Sequence, residues 1–330
     1  MTVYKVIGRS EPNILCATDY LIGDMSDINY EFLLLNKPII LLSNEWLDEN
    51  FPCLGMRISD ASQIADALNT VENNDAFAES RKYFLRKAFA VTDASNADVA
   101  LHTILSEAKV ENPILALHHK NNIIFKSNLM PLRRSAEEIG VKVVQNQRLR
   151  SPNVINVAAH FNCLLDPIIA KNFCVHLDHG LKGEGTANVN ISANDYIKNE
   201  FFPSVDLHLT AGEMGQTRTE MLLGPLKSRA KIGGYPKATS IIEDARDDKR
   251  RTILKFYGLN PSLPVVTYAP AGEESFEKPG GSLSKNVIRE LKHLSKNAKC
   301  NVVVKLKYPF YFQRRFLSNM KKNLQRNIFQ

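Results

Sequence analysis

Long apolar runs are the first thing this sequence lacks. No stretch of its 330 residues reaches the roughly 18 consecutive apolar residues that a membrane span requires. No segment therefore reads as a transmembrane helix. The opening stretch, MTVYKVIGRSEPN, lacks the basic-then-apolar order of a signal peptide, which points to a cytoplasmic chain. Paired cysteines are missing too. Cys16, Cys53, Cys163, Cys174 and Cys300 are scattered and odd in number. No CxxC pair suggests zinc, and each cysteine reads as a small, buried, reduced apolar residue. Low-complexity segments and short-period repeats are not evident. Nor are basic residues interleaved with aromatics as in a nucleic-acid motif, so nucleic acid is not an expected partner.

What is present is ordinary for a globular protein: 44% hydrophobic and 23% charged residues, over a length that suggests about two domains. The formal net charge is +7. Lysine and arginine concentrate at 81–87, at Arg133 and Arg134, in DARDDKRR (Arg246, Lys249, Arg250, Arg251), and in the tail FQRRFLSNMKKNLQR. Each cluster suits either a solvated helix face or an anionic partner such as a nucleotide or a lipid head group.

Short apolar runs alternate with amphipathic stretches, which predicts an α/β fold with parallel sheets and crossover helices. The expected strands cover 20–23, 38–42, 114–118, 141–144, 154–158, 173–176, 207–210, 230–232, 265–269 and 301–306. Several are rich in valine and isoleucine, as buried parallel strands are. The expected helices cover 27–35, 62–71, 96–108, 129–139, 244–257 and 284–296. Val287, Leu291 and Leu294 give the last one a helical apolar spacing. Composition breaks at 108–113 (EAKVENP) and 234–241 (YPKATSI) divide the chain into 1–110, 111–240 and 241–330.

Four stretches could carry chemistry. In HLDHGLKGEG, His176 and His179 follow an apolar run, with Gly180, Gly183 and Gly185 close behind. Glycines there let the backbone approach a ligand and present amides to an anion. A histidine at such a turn could serve as general base, and Lys182 could face a phosphate; a plain tight turn fits as well. In IGDMSDINYEFLLLNKP, Asp24, Ser26 and Asp27 stand where a strand hands over to a helix. Ser26 or Asp27 could cap that helix, and a helix start attracts phosphate. In VVTYAPAGEES, Pro270 and Gly272 shape a loop after a buried strand. In VVVKLKYP, Lys305 and Lys307 fall on one face at a strand's C-terminal end, where open parallel sheets bind ligands.

Together these stretches resemble the CDP-glycerol glycerophosphotransferase family of teichoic-acid-type polymer synthesis. Asp178, His179, Gly180, Leu181 and Lys182 resemble the family's WHG-Pro/Leu-Lys loop, with Asp178 in place of tryptophan. Gly234, Tyr235, Pro236 and Lys237 resemble its GYPR element. Tyr268, Ala269 and Pro270 resemble its YAPT strand end, with Ala271 for threonine. Lys305, Leu306 and Lys307 resemble its basic-x-His strand end, with Lys307 for histidine. Residues 22–38 resemble its ITDYSS…LDKP element, with Met25 and Asp27 where tyrosine and serine are usual.

The resemblance implies a GT-B fold of two Rossmann-like domains facing a cleft. It implies a nucleotide-diphosphate donor such as CDP-glycerol as substrate, with no cofactor and no metal. It also implies a hydroxyl acceptor that is often lipid-linked, and hence peripheral contact with the inner face of the cell membrane. His179 would be the base, while Gly180, Lys182, Asp24, Ser26, Asp27, Pro270, Gly272, Lys305 and Lys307 would bind the donor. The replaced positions leave open a degenerate nucleotide-binding module, and the GD.S pattern at 23–26 leaves open an epimerase-like enzyme acting on UDP-sugars.

The order of these elements is reversed relative to the family. Residues 241–330 correspond to the first half of a donor domain, 1–110 to its second half, and 111–240 to the acceptor domain. The chain is thus either a permuted complete unit or the tail of one unit joined to the head of another. If the ends complete one domain, the strand near 302–306 and the strand near 20–23 belong to one sheet. If not, each end is half a sheet with an open edge.

Overall fold

The computed structural model describes residues 4–7, 13–24, 26, 28–42, 53–119, 125–159, 163–164, 166–177, 205–270, 285–297 and 299–305. Within them the chain forms two six-stranded sheets, parallel throughout. The N-terminal part supplies β1 (Tyr4–Ile7), β2 (Tyr20–Gly23), α1 (Ile28–Leu33), β3 (Ile39–Leu42) and β4 (Met56–Ile58), followed by α2 (Ile64–Asn73), α3 (Ala78–Ala88) and α4 (Asn96–Ala108). The middle supplies β5 (Ile114–His118), α5 (Met130–Glu138), β6 (Lys142–Gln145), β7 (Val154–Ala158), β8 (Phe173–Leu177), β9 (Leu207–Thr210), α6 (Glu213–Leu223) and β10 (Ala230–Ile232). The C-terminal part supplies α7 (Pro236–Asp244), α8 (Asp247–Phe256), β11 (Val265–Ala269), α9 (Lys285–Asn297) and β12 (Asn301–Lys305).

The first sheet has the order β1-β12-β11-β2-β3-β4 and therefore contains strands from both ends of the chain. β12 and β2 do not pair with each other; β11 lies between them and pairs with both. Counted from β11 as strand one, the order becomes 3-2-1-4-5-6, that of a doubly wound sheet. The second sheet, β10-β9-β8-β7-β5-β6, uses the middle of the chain alone. Read from its β6 edge and counted from β5 as strand one, its order is 2-1-3-4-5-6.

Both faces of the first sheet are covered, which is why its inner strands are mostly apolar, with Thr267 and Asn301 as buried polar exceptions. Ile22, Ile40, Tyr268, Val302 and Val304 pack under α2 and α9, through Ile64 and Leu68 on one helix and Val287, Leu291 and Leu294 on the other. Burying each aliphatic side chain of this kind stabilises the fold by about 1.5–3 kcal/mol. The opposite face packs against Ile253, Leu254 and Tyr257 of the α8 region and against Tyr30, Phe32 and Leu33 of α1. α4 belongs by packing to the second sheet: Ala100, Leu101 and Ile104 meet Leu115, Leu117, Val157 and Val175. A 14-member cluster that includes Phe32, Phe89, Ala211 and Tyr235 continues from the first sheet's helices to the end of β9.

Several local expectations fail. β1 and β4, with four and three residues, are too short to show a periodicity. The stretch 234–241, expected to be a boundary between a strand and a charged helix, is mostly α7; Pro236 sits at its first position, where the missing N–H costs nothing. The helix expected over 244–257 is α8 and begins three residues later, at Asp247, because Arg246 before it is extended (φ −64°, ψ 144°); residue 244 ends the separate helix α7. Cys53 is exposed and Cys163 half-buried, against the expectation of burial. Cys16, Cys174 and Cys300 are buried.

Candidate functional site

All strands of the first sheet run the same way, so their C-terminal ends share one rim. The order reverses between β11 and β2: one neighbour's chain continues toward β12, the other's toward β3. Ligands bind doubly wound sheets at such a point. The register aligns Gly23 with Ala269 and Lys305 with Ile7, and Tyr268 with Val304 one step earlier. Lys305 therefore stands level with Ala269 and Gly23, and Pro270 and Asp24 follow one residue further on, at the ends of three adjacent strands. Strand spacing sets Lys305 and Gly23, two strands apart, roughly 10 Å from each other.

The turn after β2 is tightly specified. Asn29 donates from Nδ2 to the Asp24 carbonyl at 2.5 Å. Ser26 accepts the Ile28 N–H at Oγ at 3.5 Å and the Asn29 N–H at its carbonyl at 3.0 Å, which is the capping role expected of it. A Cβ on Gly23 would lie 2.1 Å from Asn29 Oδ1, so the turn needs glycine there. Asp24 and Pro270 are buried and Lys305 is half-buried. Asp24, Ser26, Pro270 and Lys305 are thus brought together at one rim. His179, Gly180, Lys182, Asp27, Gly272 and Lys307 lie outside the described residues.

Behind this rim α1 is pinned from the other sheet's side. Glu31, buried on α1, accepts hydrogen bonds from Tyr235 Oη at 3.0 Å and Lys237 Nζ at 2.5 Å. The Tyr235 N–H in turn donates to Asn96 Oδ1 at 2.9 Å. Gly234 allows this approach: its φ is +80°, and a Cβ would sit 2.7 Å from the Asn96 carbonyl oxygen. The tyrosine and lysine of the GYPK element therefore act on Glu31 here.

Sequence reasoning passed over a second polar group, at the rim of the second sheet. His118 ends β5, buried, with Nε2 2.9 Å from Asn156 Oδ1 on β7. Asn156 Nδ2 donates to the Ile169 carbonyl at 3.1 Å, which fixes the amide's orientation. Next to it, the His119 N–H donates to Asn146 Oδ1 at 2.9 Å, and Asn146 Nδ2 lies 3.3 Å from His119 Nε2. Burial holds both imidazoles below their ordinary range, and for His118 the Asn156 hydrogen bond works in the opposite sense. The signal in the sequence was the pair of histidines directly after the apolar run 114–117. Among the described residues, no group of three or more His, Cys, Asp or Glu side chains is placed to hold a metal ion.

These features define an α/β protein with two parallel sheets and a polar, glycine-shaped strand rim on the first. Residues 3–106, from the beginning of β1 to near the end of α4, match the family described as CDP-Glycerol:Poly(glycerophosphate) glycerophosphotransferase. The match supports the family resemblance read from residues 22–38. That family is one of transferases. No curated protein matches the chain. Among solved structures the chain is similar to the crystal structure of glutamate racemase isoform RacE1 from Bacillus anthracis. The two share 11% identity over 88% of this chain and 98% of that one, with a TM-score of 0.21; so low a score bears on neither fold nor function. Among the described residues, no helix is long and apolar enough to cross a membrane.

Proposed function

We propose that this protein is a GT-B transferase whose donor domain is assembled from the two ends of the chain and whose acceptor domain is the middle. It moves glycerol phosphate, or a related group, from a donor of the CDP-glycerol type to a hydroxyl acceptor in cell-wall or surface polymer synthesis. One observation carries the reading. The first sheet acquires a doubly wound order, 3-2-1-4-5-6, when its strands are counted from β11, and its switch point coincides with the motifs at 22–26 and 268–270. The family match over residues 3–106 supports the chemistry.

In this reading His179 takes the proton of the acceptor hydroxyl. The oxygen attacks the phosphorus that bears the glycerol, the new O–P bond forms as the P–O–P bridge breaks, and CMP departs. Lys305, Lys307, Lys182 and the amides near Ser26, Gly180, Pro270 and Gly272 hold the phosphates. Asp24 and Asp27 would repel them unless those cations intervene. The reaction needs no cofactor, because the donor carries its own activated bond. Lipid-linked acceptors would bring the protein to the inner face of the membrane. α8 suits that contact, since Arg251, Lys255 and Phe256 are exposed on it, the last by 63%.

The test is to incubate the protein with CDP-glycerol and an acceptor and to measure CMP. Release that falls at least a hundredfold in His179→Ala is expected. Equal release by that variant would remove His179 from the mechanism. Tight CDP binding without turnover would assign the degenerate module.

A further inference from the structure

The second sheet has a switch point of its own, between β5 and β7, and the His118–His119 group stands at it. We propose that this group is the site for the polyol or sugar hydroxyls of the acceptor, with His119 as a binding residue oriented by Asn146. The inference rests on the transferase reading and adds to it where the acceptor sits.

Three observations carry it. The first is position: His118 closes β5 and Ala158 closes β7, paired in register, so both loops leave the sheet at the crevice where doubly wound sheets take ligands. The second is the turn at Asn146, whose N–H donates to the Leu117 carbonyl at 3.0 Å and so fixes it beside the end of β5. Asn146 adopts a left-handed φ of +50° and uses its amide twice on His119, on the main-chain N–H and on the ring. Asparagine adopts that conformation readily, and here it turns the amide toward His119.

The third is the chemistry of the two rings. Asn156 presents its oxygen to His118, so His118 Nε2 carries the proton and Nδ1 is the acceptor. Asn146 presents its nitrogen to His119, so His119 Nε2 accepts and Nδ1 carries the proton. One strand end thus combines two uncharged imidazoles in opposite tautomers. Hydroxyls, which donate and accept at once, match that pattern. A free phosphate matches it poorly, since Asp166 lies close enough to act on His118 electrostatically.

The experiment uses the full chain and two probes, glycerol and a bis(glycerol) phosphodiester, followed by ligand-observed NMR, with CDP binding measured by calorimetry on the same samples. His119→Ala and Asn146→Ala should weaken binding of the phosphodiester at least tenfold and leave CDP affinity within twofold. His119→Gln, which keeps a donor and an acceptor, should restore part of the loss. Melting temperatures identify any variant that fails to fold, and His119→Gln then stands in for it. Probe affinity unchanged in every variant, or no binding of either probe to the wild type, overturns the inference. Absence of CDP binding in the wild type, with the probe result intact, instead overturns the transferase reading.

Discussion

The hydroxyls of Thr18 and Thr267 lie 2.6 Å apart in a buried seam, although 249 residues separate them in sequence. Thr18 also donates to the Ile14 carbonyl at 3.0 Å, which leaves Thr267 as the donor between the pair. One residue on, Asp19 binds the C-terminal part three ways: its N–H donates to the Val265 carbonyl, its Oδ2 accepts the Val265 N–H, and the same oxygen meets Arg250 at 2.7 Å. The two ends of the chain are therefore held together by side chains as well as by the β-ladder.

A double-mutant cycle on Asp19 and Arg250 measures one of these stitches. Both side chains are about a quarter exposed, so screening limits the pair to a coupling of about 1 kcal/mol. Asp19→Ala costs more, about 2 kcal/mol, because the Val265 N–H also loses its acceptor. Urea unfolding at neutral pH checks both values. Asp19→Ala with wild-type stability would show that the seam is held by the strands alone.

A chain ending at residue 260 lacks β11 and β12. β1 then has no partner strand, and β2 presents an unpaired inner edge where β11 stood. Such edges recruit other chains. The truncated protein is expected to elute as aggregate in size exclusion and to lose the cooperative thermal transition. A monomeric, cooperatively folding fragment would mean that the N-terminal part forms a self-sufficient sheet.

Much of this was legible in the sequence because buried parallel strands are continuous runs of β-branched residues. VVTYA and NVVVK could be read as strands on their own terms. That the ends share a layer came from the order of the motifs, since no local pattern encodes a strand pairing as distant as Tyr20 with Val266. The short strands YKVI and MRI were missed because their pairing partners, far along the chain, define them. Glu31 was missed because an acidic residue in an amphipathic helix looks solvated; its burial comes from Tyr235 and Lys237, two hundred positions away. The His118–Asn156 pair was missed for the same reason, a polar contact made across strands.

Leu291 on α9 is fully buried against β12 and its neighbours. Leu291→Ala should cost about 2–5 kcal/mol, transfer and cavity together. The adjacent Arg289–Glu290 pair, with Arg289 69% exposed, should contribute under about 0.5 kcal/mol, so Glu290→Ala is nearly silent. Paired unfolding curves test the contrast. Equal costs would place α9 off the sheet.

Burial pushes the thiols of Cys16 and Cys174 up to about 12 and that of Cys300 up to about 11. All three should resist a disulfide reagent in the native protein near pH 8, because the thiol form does not attack. Cys53, exposed, should supply the fastest phase, and Cys53→Ser should remove it. A fast phase that persists in this variant would mean that another thiol is reached.

The imidazoles of His118 and His119 respond to pH in one direction. Both have folded-state values lowered from about 6.5, chiefly by burial. As pH falls below the unfolded value, the unfolded chain takes up protons that the folded one refuses, so stability declines through that window until the folded groups titrate. Asp166 opposes the shift at His118 and His119 reinforces it. Unfolding free energy should therefore fall between pH 7 and pH 5.5, and His118→Gln, which cannot titrate, should flatten the slope relative to wild type. An unchanged slope would mean that His118 protonates as readily in the fold as outside it, in conflict with its burial between β5 and β7.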